Sequence, residues 1–167
     1  MSWSGHIAEQ ACTPCRRTIC CSGGNTLACQ DILIDALGGP QTIAVAGNYV
    51  VALSDITYNE GNIVATGITG TTFTLPTPGI YEVTWDLEGS ITGGLGGGFI
   101  GILQNGAQLI VSQQAIVPGA AHAIIYGRTF ILQATTPNTT VQLVVINAAA
   151  GDTIITAHLV IELIKRL

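Results

Sequence analysis

Residues 80–88 read IYEVTWDLE, and this stretch decides the fold class of the chain. Its apolar side chains are Tyr81, Val83, Trp85 and Leu87. The polar side chains between them are Glu82, Thr84, Asp86 and Glu88. A period of two residues is that of a β-strand with one face against a core and the other toward solvent. The stretch therefore predicts a half-buried antiparallel strand.

The chain on both sides of this stretch has the same β character. From residue 42 onward Val, Ile and Thr are abundant, turn residues recur at short intervals, and no segment keeps a helical period. We predict strands at residues 43–53, 62–68, 71–75, 80–88, 98–103, 108–112, 123–132, 140–146 and 153–163. Asn105-Gly106, between two apolar runs, predicts a type I′ hairpin turn. Short strands without interleaved helices predict an all-β, antiparallel jelly-roll sandwich over residues 41–167.

Two late strands are apolar on both faces. In residues 140–146, Val144 and Ile146 alternate with a first apolar set. In the last strand we expect Ile154 and Val160 on the face opposite the main apolar row. Because such strands in an antiparallel sheet need cover on both sides, we predict that a neighbouring subunit covers these four residues.

The composition favours a self-associating protein. Charged residues make up 9% of the 167 residues, against a usual value of about 25%, and mean hydropathy is +0.52. So few charges predict that much of the surface is buried in an oligomer. A net charge of −5 with five basic residues argues against nucleic acid and acidic membrane surfaces as partners. No apolar run is long enough to span a membrane.

All five cysteines lie in residues 12–29, which read CTPCRRTICCSGGNTLAC. They are Cys12, Cys15, Cys20, Cys21 and Cys29. We predict that residues 1–40 form a flexible, cysteine-rich connector arm, with residues 30–37 as a short helix or a strand. Because the number of cysteines is odd, at least one is free or is paired between chains. Zinc binding and surplus thiols in a flexible tail remain as alternatives to disulfides.

The sequence gives little support to catalysis. No acidic residue stands at a spacing from His6, His122 or His158 that would indicate a catalytic pair, and serines are few. The acids of residues 82–88 offer a calcium site as an alternative, but a solvated sheet face explains them more simply. We therefore predict no catalytic residue, no metal and no cofactor.

Four short motifs carry a resemblance to a known family. They are residues 78–83 (PGIYEV), 103–106 (LQNG), 149–154 (AAGDTI) and 157–163 (AHLVIEL). With them, residues 43–167 resemble the trimeric jelly rolls of the TNF and complement globular-head superfamily, and most of all the C-terminal domains of collagen-like exosporium glycoproteins of Bacillus-type spores. The collagen stalk of those glycoproteins is missing. The cysteine-rich arm is instead similar to the N-terminal connectors of endospore appendage subunits.

This resemblance implies a structural subunit of a spore-surface fibre. Homotrimers would stack head to tail, joined by their arms and by disulfides, with other spore-surface proteins as further candidate partners. The alternative is a fibre anchor or tip that acts as a surface- or glycan-binding head through loops 93–98 and 118–122. Because residues 1–10 lack a basic start and an apolar stretch, we expect synthesis in the mother-cell cytoplasm without a signal peptide, followed by an extracellular location on the spore.

Overall fold

The protein is an antiparallel two-sheet sandwich in a computed structural model that describes residues 32–36, 38–60, 63–66, 70–94, 97–117 and 123–167. The strands are β1 (Ile32–Ala36), β2 (Gln41–Thr42), β3 (Gly47–Val50), β4 (Asp55–Glu60), β5 (Val64–Thr66), β6 (Thr72–Leu75), β7 (Gly79–Ser90), β8 (Phe99–Gln104), β9 (Ala107–Gln108), β10 (Gln114–Ala115), β11 (Ile124–Ala134), β12 (Thr139–Ala148) and β13 (Thr153–Arg166). A 3-10 turn covers Ile110–Ser112. These residues contain no α-helix, and hence no helix that could span a membrane.

The strands form two sheets. Sheet A has the order β11-β7-β13-β1-β4, and β2 pairs with β13. Sheet B has the order β10-β8-β12-β6-β5, with β3 on β12 and β9 on β8. Each pairing in this set is antiparallel, as the alternation of residues 80–88 predicts. The predicted all-β, antiparallel class is confirmed.

The core lies between the sheets and begins with β7. Burial alternates along all 12 residues of this strand, because every second side chain points toward sheet B. The inward side chains, among them Tyr81, Trp85 and Leu87, are fully buried. β13, which pairs with β7, adds Leu159 and Ile161 to the same cluster. One apolar core therefore holds the two sheets together.

Two parts of the strand prediction were wrong. Of residues 108–112 only Gln108 lies in a strand, β9, because the Ser112 amide and hydroxyl both donate to the Leu109 carbonyl and close the 3-10 turn. Residues 55–60 do form a strand, β4, although they were not predicted as one. Its sequence, DITYNE, alternates Ile56 and Tyr58 with polar residues, and the strand pairs with β1.

The strand alternative for residues 30–37 is the correct one. β1 pairs with β13 from Ile32 opposite Glu162 to Ala36 opposite His158, and it pairs with β4 on its other side. It is thus an interior strand of sheet A. The expected boundary at residue 40 falls inside the folded body, since Gly38-Gly39-Pro40 joins two strands, β1 and β2, that both pair with β13. Residues 1–31, which precede β1, are the N-terminal segment.

The predicted hairpin turn between β8 and β9 is confirmed. Asn105 and Gly106 have φ angles of 50° and 78°, the positive values that a type I′ turn requires. The Asn105 side-chain oxygen also accepts a hydrogen bond of 2.8 Å from the Thr140 amide. The turn is thereby attached to β12.

Candidate functional site

The outer face of sheet A, the side turned away from sheet B, mixes acidic and aliphatic side chains. Alternation and register place on it Glu82, Thr84, Asp86 and Glu88 of β7, His158, Val160 and Glu162 of β13, and Ile125, Thr129 and Ile131 of β11. Ile125 and Ile131 are each exposed over more than half of their surface. A sheet face of this kind has apolar area to bury and charges to neutralise.

Two cross-strand contacts order the polar part of this face. The hydroxyls of Thr84 and Thr129 lie 2.8 Å apart. His158 Nδ1 lies 2.7 Å from Asp86 Oδ1, so the sheet brings together two groups that are far apart in the sequence. Their side chains are 49% and 47% exposed, so water screens the pair and its contribution to stability is small. A histidine with a carboxylate does not by itself supply a nucleophile.

Like charges meet on the same face. Glu162 of β13 lies directly opposite Glu82 of β7 in the register. Like charges at directly opposed positions destabilise an antiparallel pair. If two copies packed with these faces against each other, the acidic residues of both would meet. The outer face of sheet A is therefore suited to contact a surface of different composition, not the same face of a second copy.

A second surface, the β11 edge, has the complementary composition. It consists of Ile110 and Val111 of the 3-10 turn, Val117, and Arg128 of β11. The three aliphatic side chains are each more than half exposed. Arg128, one of few basic residues in the body, donates a hydrogen bond from Nη1 to the Gln113 carbonyl. Tyr126 of β11 accepts a hydrogen bond from the Val117 amide at 3.3 Å, which attaches Val117 to this edge.

The four predicted interface residues differ in position and in exposure. Val160 is half-buried on the outer face of sheet A, between Thr84 of β7 and the register position of Ile34 in β1. Ile154 was placed on the wrong face. A bulge between Ile154 and Thr156 turns Ile154 into the core, where it is 0% exposed and unavailable to a neighbour.

Val144 and Ile146 point away from the main apolar row of β12, as predicted. Within the single chain they are already only 2% and 9% exposed. β12 runs inside sheet B, with β8 on one side and β3 and β6 on the other, and both residues reach this burial within the single chain. They offer almost no area to a subunit contact.

The predicted connector cysteines Cys12, Cys15, Cys20, Cys21 and Cys29 lie outside the described residues, as do His6 and His122. Their pairing stays a prediction. In the part of the chain that the structure describes, no three His, Cys, Asp or Glu side chains are grouped so as to hold a metal ion.

Two buried polar residues that were not predicted organise the body. Asp152 is only 3% exposed, and it accepts hydrogen bonds from the Thr92 amide and hydroxyl and from the Ala149 amide at 2.8–2.9 Å. Ser112 is fully buried, its hydroxyl accepts from the Ile102 amide, and its carbonyl accepts from Trp85 Nε1 at 3.1 Å. For Asp152 the only local indication in the sequence was the turn at Gly151-Asp152. The roles of Asp152 and Ser112 depend on contacts with residues that are distant in the sequence.

Comparison with solved structures decides the type of sandwich. The crystal structures of murine APRIL at pH 8.0 and pH 5.0 match with TM-scores of 0.54 and 0.53, at 11% and 10% identity. Each match covers 80% of this chain and 99% of the other. The fold is a TNF-like jelly roll. The predicted jelly roll is thus confirmed.

One further solved structure is similar to this chain at a lower TM-score. The globular domain of the zebrafish complement 1qA protein matches with a TM-score of 0.38 at 11% identity, over 82% of this chain and 99% of that one. No family model and no curated protein matches the chain.

Proposed function

We propose that the protein is a structural subunit of an extracellular spore-surface fibre, an endospore appendage, which assembles as stacked trimers joined by the N-terminal segments and by disulfides. The observation that carries the proposal is the presence of two unlike surfaces on one jelly roll. The outer face of sheet A is acidic and aliphatic, and the β11 edge is aliphatic with an arginine.

Unlike surfaces favour a ring. When one patch of a subunit contacts a different patch of the next, the contacts close into a ring or continue as a filament. Burial of the exposed isoleucines contributes about 25 cal/mol per Å² of apolar area removed from water. Arg128 would lie near the acids of the neighbour, where the crowding of Glu82 against Glu162 is relieved. A trimer is the ring that the TNF-like fold suggests.

Stacking of the rings is assigned to the N-terminal segment. β1 runs antiparallel to β13 with Ile32 opposite Glu162, so Ile32 lies near the end of the sandwich where β13 finishes. Residues 91–94 and 147–152 lie at the opposite end of the sandwich, where β13 begins. In the proposed head-to-tail stack the segment of one ring contacts the loop end of the next ring. Contacts of this kind do not close, and they build a fibre.

The proposed role is not enzymatic. The proposed location of the protein is the spore surface. Domains of the TNF and complement globular-head type are ligands and structural proteins. Two of the five basic residues of the chain lie within the N-terminal segment, so the body offers no basic surface for nucleic acid. Synthesis in the mother cell and oxidation after its lysis would place a disulfide-linked fibre on the spore surface.

A second candidate is a binding head at the end or base of such a fibre. The favouring observation is the rigid set of loops around Asp152. The Asp152 carboxylate holds loop 91–94, and its carbonyl accepts from the Ile43 amide at 2.8 Å. A fixed loop platform at the end opposite the N-terminal segment suits recognition of a surface or a glycan, with other spore-surface proteins as partners.

The test is imaging of the purified full-length chain by electron microscopy beside a variant that lacks residues 1–31. We expect filaments from the full chain and single trimers from the variant. The deletion stops at residue 31 because residues 32–36 are a strand of sheet A. A deletion through residue 39 would remove that strand and confuse loss of assembly with loss of folding.

Gel filtration with light scattering provides the control for the variant. A trimer with intact β structure shows that the body is folded without the segment. Discrete particles from the full chain, unchanged by the deletion, would contradict the fibre and favour the binding head. Monomers from both chains would contradict both functions.

A further inference from the structure

We propose that Glu82 and Glu162 of one copy together bind the Arg128 guanidinium of the next copy, and that this contact fixes which surfaces meet in the ring. The inference rests on the proposed trimer, and it names the charged groups that pair across each of its contacts. Glu82 and Glu162 are the glutamate pair of this contact.

The glutamate pair carries charge that the body does not neutralise. Both side chains are half-buried on the outer face of sheet A. They are directly opposed in the register of β7 and β13, so their Cβ atoms are about 4.5–5.5 Å apart. Among the described residues neither carboxylate has a hydrogen bond or an ion pair, and Lys165 and Arg166 further along β13 form none with it. Half-buried like charges without a counter-charge are unfavourable.

The other acids on this face of β7 are in a different position. His158 Nδ1 lies 2.7 Å from Asp86 Oδ1, so the Asp86 carboxylate already has a partner. Glu88 lies opposite Ile125 and Thr156, and therefore has no like charge beside it. The glutamate pair is thus the position on this face that gains most from a cation.

Arg128 is the complementary group of the β11 edge. Its side chain is exposed, and it uses one of its several N–H donors on the Gln113 carbonyl. The Gln113 amide donates to the Ile110 carbonyl at 3.1 Å, so the 3-10 turn holds the guanidinium at the edge. In the described part of the chain no carboxylate pairs with Arg128. Its remaining donors can bind two carboxylates at once.

A copy cannot bring its own Arg128 to its own glutamate pair. Arg128 lies opposite Trp85, a core residue, so its side chain leaves β11 on the side that faces sheet B. The glutamate pair lies on the other side of the same sheet, where Ile131 is opposite Glu82. The partner of each group must therefore come from outside the body that carries it.

The apolar neighbours of the two sites also match. Ile131 beside Glu82 is more than half exposed, and so are Ile110 and Val111 near Arg128. When these aliphatic side chains pack against each other, they exclude water from the charged groups. A charge pair shielded from water is attracted more strongly than one in bulk solvent. The second copy of this chain therefore fits the glutamate pair in charge and in the apolar surroundings of that charge.

Glu162→Gln distinguishes this contact from a purely structural role of Glu162. In the isolated chain it removes the repulsion with Glu82, so we expect the folded chain to become more stable. In the ring it removes one acceptor of the neighbour's guanidinium, so we expect association to weaken about tenfold. Arg128→Gln should weaken association by a similar factor. One substitution thus shifts folding and association in opposite directions.

The decisive experiment is a charge exchange in the full-length chain, kept in reductant so that disulfides do not hold copies together. Arg128→Glu alone and Glu82→Lys/Glu162→Lys alone should each raise the dissociation constant of the ring at least about thirtyfold. All three changes together should restore the ring. In the matched control, Arg128→Glu is combined with Glu88→Lys, on the same face of the same strand, and the ring should stay dissociated. Analytical ultracentrifugation measures association, and circular dichroism checks the β structure of each variant.

The outcomes separate this inference from the proposed function. If the unchanged protein is monomeric at every concentration, the proposed trimer fails. If it forms rings and the folded charge-exchange variant does not restore them, the inference alone is overturned. Where an exchange variant lacks β structure, Arg128→Gln decides, and unchanged association would overturn the inference. Loss of association in Arg16→Gln/Arg17→Gln but not in Arg128→Gln would show that the N-terminal segment occupies the glutamate pair instead.

Discussion

The two faces of sheet A are made from the same strands and have opposite properties. On β7 and β13 the inward residues, such as Trp85 and Leu159, are fully buried in one apolar core. The outward residues next to them, such as Asp86 and Val160, remain partly exposed. A difference of one position along a strand thus separates residues that hold the chain together from residues that are free to contact another chain.

This contrast teaches that the outer face is not optimised for an isolated subunit. The inner face has few polar atoms, and those present are hydrogen-bonded, as Trp85 is to the Ser112 carbonyl. The outer face opposes Glu82 to Glu162 and leaves isoleucines in water. Both features are unfavourable for the single chain, and the proposed contact with a neighbour would relieve both. Variants on the two faces should therefore change different quantities.

The largest effect is expected for Leu159→Ala on the inner face. Removal of this buried side chain leaves a cavity and should lower the free energy of unfolding by about 2–5 kcal/mol. The matched control is Val160→Ala, one residue further on the outer face, for which we expect less than about 1 kcal/mol. Urea unfolding at one fixed protein concentration, in reductant, measures both. Equal losses for the two variants would refute the division of the strand into a core face and an assembly face.

The next effect is expected for Ile131→Asp on the outer face of sheet A. A new carboxylate beside Glu82 adds repulsion and removes apolar area from the proposed contact. We expect the trimer to dissociate at least about tenfold more readily, which corresponds to about 1.4 kcal/mol. Val64→Asp is the control, because Val64 is about equally exposed on an edge strand of sheet B.

Analytical ultracentrifugation of the chain without residues 1–31 measures this association directly. If Ile131→Asp leaves the trimer unchanged while Val64→Asp dissociates it, the contact lies on sheet B and the proposed surface is wrong.

The smallest effect is expected for Glu162→Gln, which removes one of the two opposed carboxylates. Loss of the repulsion with Glu82 should raise the free energy of unfolding by about 0.2–1 kcal/mol. The gain should shrink in 1 M salt, where charges on the surface are screened. Thermal unfolding at low and high salt measures it. A loss of stability at low salt would show that Glu162 has a favourable partner.

Alternation predicted the regular strands well because a local pattern suffices for them. β7 and most of β13 follow directly from their period of two residues. The pattern failed at Ile154, because a bulge shifts the phase and a phase shift cannot be read from residue types. It was not applied to β4, although Ile56 and Tyr58 alternate with polar residues there and the strand pairs with β1.

The candidate site was predicted only in outline. The acidic side of β7 and the outward position of Val160 follow from alternation. The contact of His158 with Asp86 does not, since it depends on the register of β13 against β7 across 72 residues of sequence. The β11 edge was not predicted, because the 3-10 turn that presents Ile110 and Val111 results from hydrogen bonds of Ser112.

By itself the sequence determined the all-β class, the inner face of sheet A and the concentration of all cysteines ahead of the body. These are properties of local periodicity and of residue position along the chain. Only the tertiary structure decided that residues 32–36 belong to sheet A, that Ile154 lies in the core, and that acids of distant strands share one face. The physical reason is that register and bulges are set by the pairing of whole strands, which no single segment encodes.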